Sequence, residues 1–101
     1  MKQAEIEYFA TVFRALADPT RQRILELLRE SAELTVTEIA SNFDLAQPTI
    51  SQHLRVLKQV EAVKVRRSGQ QKHYRLCNVR MYDAMEQFMV TYEAEAMASD
   101  E

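Results

Sequence analysis

Across residues 47–75 the apolar period of the chain switches from that of a helix to that of a strand. Ile50, Leu54 and Leu57 are spaced by four and then three residues, which puts them in one stripe on a helix. The faces outside that stripe carry Ser51, Gln52, Arg55, Lys58 and Gln59, side chains able to bond to base edges and phosphates. From Val63 the residues alternate, Ser68-Gly69-Gln70-Gln71 turns the chain, and alternation resumes from Lys72 to Leu76. The pattern predicts a β-hairpin with Gly69 at a position needing positive φ. A polar-faced helix followed at once by a basic hairpin is the layout of a winged helix-turn-helix. The expected fold is mainly α, with about five helices and a two-stranded antiparallel β-hairpin as the wing. It also says where double-stranded DNA would lie. On the helix the candidate contacts are Gln47, Thr49, Ser51, Gln52, His53, Arg55 and Lys58. On the wing they are Arg66, Arg67, Gln70, Gln71 and Lys72, placed along phosphates or in the minor groove.

Net charge is only −2, so composition alone does not suggest DNA; the distribution of charge does. Residues 45–80 hold eight basic side chains and one acid, a net of +7. Residues 81–101 hold six acids and no Lys or Arg, and residues 1–44 hold five basic and eight acidic side chains, so both flanks are negative. A basic block between acidic ends points one surface at a polyanion.

At 101 residues the chain is expected to be one domain, residues 1–101. A domain this short buries a modest share of its surface and gains stability from a partner subunit. No run of about 18 apolar residues is present, so no membrane span is expected. Residues 1–10 carry acids early and lack the apolar centre of a signal peptide. The single cysteine, Cys77, excludes an internal disulfide framework. A cytoplasmic protein without a cofactor is expected. Phosphate-loop, paired-acid and nucleophile-elbow motifs are missing, and Ser51 and His53, two apart on a helix, face different ways. No enzymatic activity is expected.

The rest of the chain reads as helices. Helix one is expected over about 3–16, with Ile6, Phe9, Phe13 and Leu16 as a narrow seam. Asp18-Pro19 supplies an N-cap and a first-turn proline for helix two, which runs to about residue 29. Thr35 and Glu38 fit a capping box that opens helix three over about 36–43. Helix four begins at Pro48, where Ala46 and Gln47 are poor caps, and ends near Val60. The last helix spans about 79–97, with Met81, Met85, Phe88 and Tyr92 in one stripe that Met89 widens. An acidic tail over 97–101 is expected to fray. The two terminal helices, about 3–16 and 79–97, carry apolar seams that a compact core does not obviously need. They are therefore expected to form a homodimer interface through Ile6, Phe9, Phe13, Met85, Phe88, Met89 and Tyr92.

Three segments resemble one family. Residues 13–25, FRALADPTRQRIL, resemble the opening of helix two in the ArsR/SmtB family of bacterial and archaeal repressors. Residues 47–57, QPTISQHLRVL, are similar to its recognition helix, and the basic hairpin ending His73-Tyr74-Arg75-Leu76 is similar to its wing. The resemblance covers about residues 9–77. It implies a dimeric winged-helix repressor that leaves its operator when an inducer binds.

The family's sensing residues do not carry over. Where members hold soft metals through a Cys-x-Cys pair in helix three, this chain has Thr35 and Thr37. Where another branch holds zinc between the last helices, this chain offers Asp83, Glu86, Glu93 and Glu95 without a histidine. Zinc favours nitrogen and sulfur ligands, so no metal site is expected. The remaining routes of release are a small apolar molecule at the methionine-rich seam, oxidation of Cys77, or simply dilution as the protein's own level changes. A winged-helix module that pairs with another regulator without reading DNA is the competing reading. The polar face of helix four and the +7 block weigh against it.

Overall fold

Capping chemistry decides where two of the helices begin. The computed structural model describes residues 1–98, apart from the side chains at 94 and 96–98. Helix α1 spans Gln3–Leu16 and α2 spans Pro19–Glu30. The Asp18 carboxylate opens α2 by accepting the Arg21 backbone N–H at 3.1 Å. Strand β1, Leu34–Thr35, leads straight into α3, Val36–Ala40. The expected capping box is present there: the Glu38 N–H donates to Thr35 Oγ1 at 3.2 Å, and the Thr35 N–H to Glu38 Oε1 at 2.8 Å.

Helix α3 stops about three residues sooner than its apolar pattern predicts. The reason is local. Ser41 Oγ and Asn42 Nδ2 both donate to the Glu38 carbonyl, at 2.7 and 3.0 Å. The Asn42 and Phe43 N–H groups then turn to the carbonyls three residues back, at 3.1 and 3.0 Å.

Helix α4 spans Gln47–Gln59, and its N-cap, Ala46, provides no side-chain bond. It ends in a Schellman motif. The Glu61 N–H reaches the Lys58 carbonyl at 3.0 Å and the Ala62 N–H the Leu57 carbonyl at 2.9 Å. Glu61 takes the left-handed conformation that the motif requires, with φ +58°.

Strands β2, Val63–Ser68, and β3, Gln71–Leu76, form the expected hairpin. Ser68 faces Gln71, leaving Gly69-Gln70 as a two-residue loop with Gly69 at φ +62°. Strand β1 adds to the other side of β3, with Leu34 opposite Tyr74, giving the order β1-β3-β2. Helix α5, Val79–Ala98, closes the described chain, so the tail expected to fray is helical at its first two residues and lies outside the described residues from 99.

The core forms where α1, α2, α3, α4 and β2 meet. Val12, Ile24, Ile39, Ile50, Leu54, Leu57 and Val63 are fully buried. Removing a side chain of this size from water contributes about 1.5–3 kcal/mol. The stripe of α4 is thus spent inward, which fixes the direction of its polar face. Helix α1 packs on both α2 and α5, so its inward face is broader than the narrow seam expected. Phe9, Val12 and Ala15 are buried, Phe13 and Leu16 half-buried, and Ile6 exposed. No helix among the described residues is long and apolar enough to cross a membrane.

Candidate nucleic-acid interface

With Ile50, Leu54 and Leu57 turned inward, α4 presents Gln47, Thr49, Gln52, Arg55 and Lys58 to solvent, with Ser51 half-buried at their edge. The Arg55 guanidinium donates to the Gln52 amide oxygen, so the two act on one patch of the outward face. Gln47 Nε2 donates to Thr37 Oγ1 at 2.9 Å and ties the start of α4 to α3. An open cleft of about 560 Å³ lies between this helix start and the wing. Gln47, Ser51 and Arg55 line one side of it and Arg67, Gln70, Gln71 and Lys72 the other. No acid is among the described residues that line it. The uncapped N–H groups at the start of α4 add positive potential at its mouth. This is a surface able to hold phosphates at its rim and present hydrogen-bonding side chains to base edges.

Two candidates lie elsewhere. Arg66 was expected on the DNA, yet its guanidinium grips Glu33 with two parallel bonds, Nη2 to Oε1 at 2.7 Å and Nε to Oε2 at 2.9 Å. The Arg66 hydrogen bond holds the Glu33 carboxyl below its usual range. Strand alternation explains the misplacement. Arg66 sits opposite His73 in the ladder, on the sheet face away from Arg67 and Lys72. His73 Nδ1 also lies 3.5 Å from Glu33. The second is His53, which is half-buried and turned toward α2, with Nδ1 3.2 Å from Arg21 Nη1. Thr49, Gln52 and Lys58 are exposed on α4 but do not line the cleft. Sequence reasoning missed Thr35 and Thr37 as cleft-lining residues, and Arg21 and Glu33 as the partners of His53 and Arg66. No local pattern signals such partners, because they lie 32 and 33 residues away.

A second surface runs along α5. Tyr82, Met85, Met89, Val90 and Tyr92 are all exposed there, and Met89 retains 70% of its accessible surface. Phe88 packs on the chain itself, edge-on to Phe9 at 5.8 Å and to Phe13 at 5.0 Å. Of the seam residues expected from the sequence, Ile6, Met85, Met89 and Tyr92 are open to solvent, whereas Phe9 is spent on the core. Arg80, at the start of α5, pairs with Glu61 at 2.6 Å and lies over the Tyr8 ring at 5.7 Å. It therefore anchors α5 and is not part of the cleft.

The sequence profile of the arsR family of bacterial regulatory proteins matches residues 18–65. The transcriptional repressor SdpR of Bacillus subtilis is 40% identical over 74 residues, which is 73% of this chain and 81% of that protein. The chain belongs to the ArsR family. The arsenical resistance operon repressor of Escherichia coli is 42% identical over 65 residues, 64% of this chain and 56% of that one. Among solved structures, an ArsR family transcriptional regulator superposes with a TM-score of 0.78 at 26% identity, covering 94% of each chain. As an ArsR-family protein the chain is a DNA-binding transcriptional regulator with a winged helix-turn-helix fold, not an enzyme.

Proposed function

We propose that this ArsR-family regulator is a homodimeric repressor that reads an inverted-repeat operator and does not respond to metal ions. The cleft carries the reading: Gln47, Ser51 and Arg55 of α4 and Arg67, Gln70, Gln71 and Lys72 of the wing converge on it with no acid among them. Helix α4 enters the major groove with Gln52 and Arg55 foremost, and the wing follows the neighbouring phosphates. Two such units related by a two-fold axis require half-sites in inverted orientation, centred about 10 bp or a multiple apart. SdpR, which is similar over most of its length, is named a transcriptional repressor. The test is a gel shift on the regulator's own promoter against scrambled duplex at fixed salt. Arg55→Ala is expected to cost about 1–3 kcal/mol on the operator and to relax preference at one position of each half-site. Equal loss on both duplexes would reduce Arg55 to a phosphate contact.

The metal-independence rests on what Thr35 and Thr37 do. Thr35 Oγ1 caps α3 by accepting the Glu38 N–H, and Thr37 Oγ1 accepts from Gln47. Both hydroxyls serve the joint that sets α4, and neither offers a soft metal the thiolate it favours. DNA binding is expected to be unchanged by micromolar zinc, cadmium or arsenite and by chelators. Stoichiometric zinc retained through dialysis, with weakened operator binding, would refute this. Release then falls to an apolar small molecule at α5, to oxidation of Cys77, or to dilution as protein level changes, and Cys77→Ser separates the two specific routes by abolishing only an oxidant response.

A further inference from the structure

Arg21 makes contacts in three directions. Its backbone N–H caps onto Asp18. Its Nε donates to the Ala15 carbonyl at 2.6 Å and its Nη2 to the Arg14 carbonyl at 3.1 Å. These are two of the last carbonyls of α1; the Arg14 carbonyl also accepts the Ala17 N–H at 3.4 Å, a weaker, longer bond. Its remaining nitrogen, Nη1, lies 3.2 Å from His53 Nδ1. A guanidinium has five donors and no acceptor, so a hydrogen bond between the two requires Nδ1 to accept. Both side chains are half-buried. One planar group therefore spans from the end of α1 to the middle of α4.

We infer that His53 is not a DNA contact: with Arg21 it forms a positioning pair that fixes the angle of α4 against the end of α1. The inference rests on the reading of α4 as the base-reading helix. Base-edge hydrogen bonds tolerate little displacement, because their geometry weakens steeply away from alignment. Phosphate contacts through long flexible side chains tolerate more. Slack in α4 therefore costs operator affinity and leaves binding to arbitrary DNA nearly intact. A histidine touching phosphate would do the reverse, losing both together.

The experiment uses an operator selected from random duplexes by the wild-type protein, a scrambled duplex, and equilibrium binding at one salt concentration. Failure of the wild type to enrich any sequence would sink the base-reading proposal itself and is seen before any variant is made. His53→Leu is expected to lose about tenfold on the operator and less than about twofold on the scrambled duplex. His53→Asn places an acceptor near the former Nδ1 and is expected to recover to within about threefold of wild type. Arg21→Lys combined with His53→Leu is expected to be no weaker than the weaker single variant, since the pair acts as a unit. Wild-type operator affinity in His53→Leu, equal losses on both duplexes, or additive losses in the double variant would each overturn the inference. Melting curves confirm that each variant is folded. If Arg21→Lys is not, the Leu and Asn variants decide alone.

Discussion

Asp18 is held in its charged form by the backbone it caps. The Arg21 N–H bonds to the carboxylate, the nearby Arg21 charge adds to it, and both keep the carboxyl below its ordinary value despite some burial. A depressed folded-state value means that the cap stabilises above the unfolded value, about pH 4, and is lost as pH falls through the folded one. Asp18→Ala is expected to cost about 0.5–2 kcal/mol at neutral pH. The gap in Tm between the two proteins is expected to narrow as pH drops below about 4; a gap constant down to acid pH would show that the charge contributes nothing. Glu61 is a backbone case. At φ +58° its Cβ is strained, and its ion pair with Arg80 is more than half exposed, so it offsets little. Comparing Glu61→Gly with Glu61→Ala removes the ion pair from both and isolates the backbone. The glycine variant is expected to be the more stable by roughly 1 kcal/mol, the reverse of the usual helix order. Thermal melts in which alanine wins would place the turn outside the left-handed region.

At the scale of elements, the wing has two unlike faces. Arg67 and Lys72 are cross-strand neighbours at the cleft, while Arg66 is committed to Glu33 behind it. Removing Arg67 and Lys72 together is expected to flatten the log–log salt dependence of DNA binding by about two units, one per phosphate contact. Arg66→Ala is expected to leave that slope unchanged. A full unit lost in Arg66→Ala would return it to the interface. Sequence pattern distinguishes such faces only so far. The inward stripe of α4 and the hairpin were legible because each repeats its period several times and Gly69 marks the turn. Strand β1 was not, because two residues contain no period, and its partners His73 and Tyr74 in β3 lie far along the chain. The side of the wing that Arg66 occupies follows from alternation, but its partner Glu33 lies too far along the chain for any local signal. The early end of α3 was hidden for a different reason: side chains of Ser41 and Asn42 outbid the backbone for one carbonyl.

Across the whole molecule, one dimension is out of proportion. The extents are 55 × 24 × 22 Å and the radius of gyration is 16.1 Å, against about 13 Å for a compact domain of 100 residues. The excess fits α5, whose 20 residues extend about 30 Å. Ala84 is its one buried side chain among the described residues, and Phe88 its main anchor on α1. Tyr82, Met85, Met89, Val90 and Tyr92 face outward as a continuous patch, and a patch of this kind calls for a partner. The sequence suggested a seam on α1 and α5, but it could not say which aromatics serve the chain's own core and which are left over. That division determines how a dimer is tested. Phe88→Glu would disturb the packing on Phe9 and Phe13 within one chain, so loss of assembly there could reflect unfolding. Met89 is almost free of its own chain, so Met89→Glu probes the interface alone. Sedimentation is expected to show a wild-type dimer at micromolar concentration and a Met89→Glu monomer with an unchanged melting curve at matched low concentration. Operator affinity is expected to fall by about a hundredfold or more, because the second half-site is no longer held at high effective concentration. Binding to an isolated half-site is expected to be unchanged. A wild-type monomer at that concentration, or a Met89→Glu protein that sediments and binds as wild type does, would remove α5 from the interface.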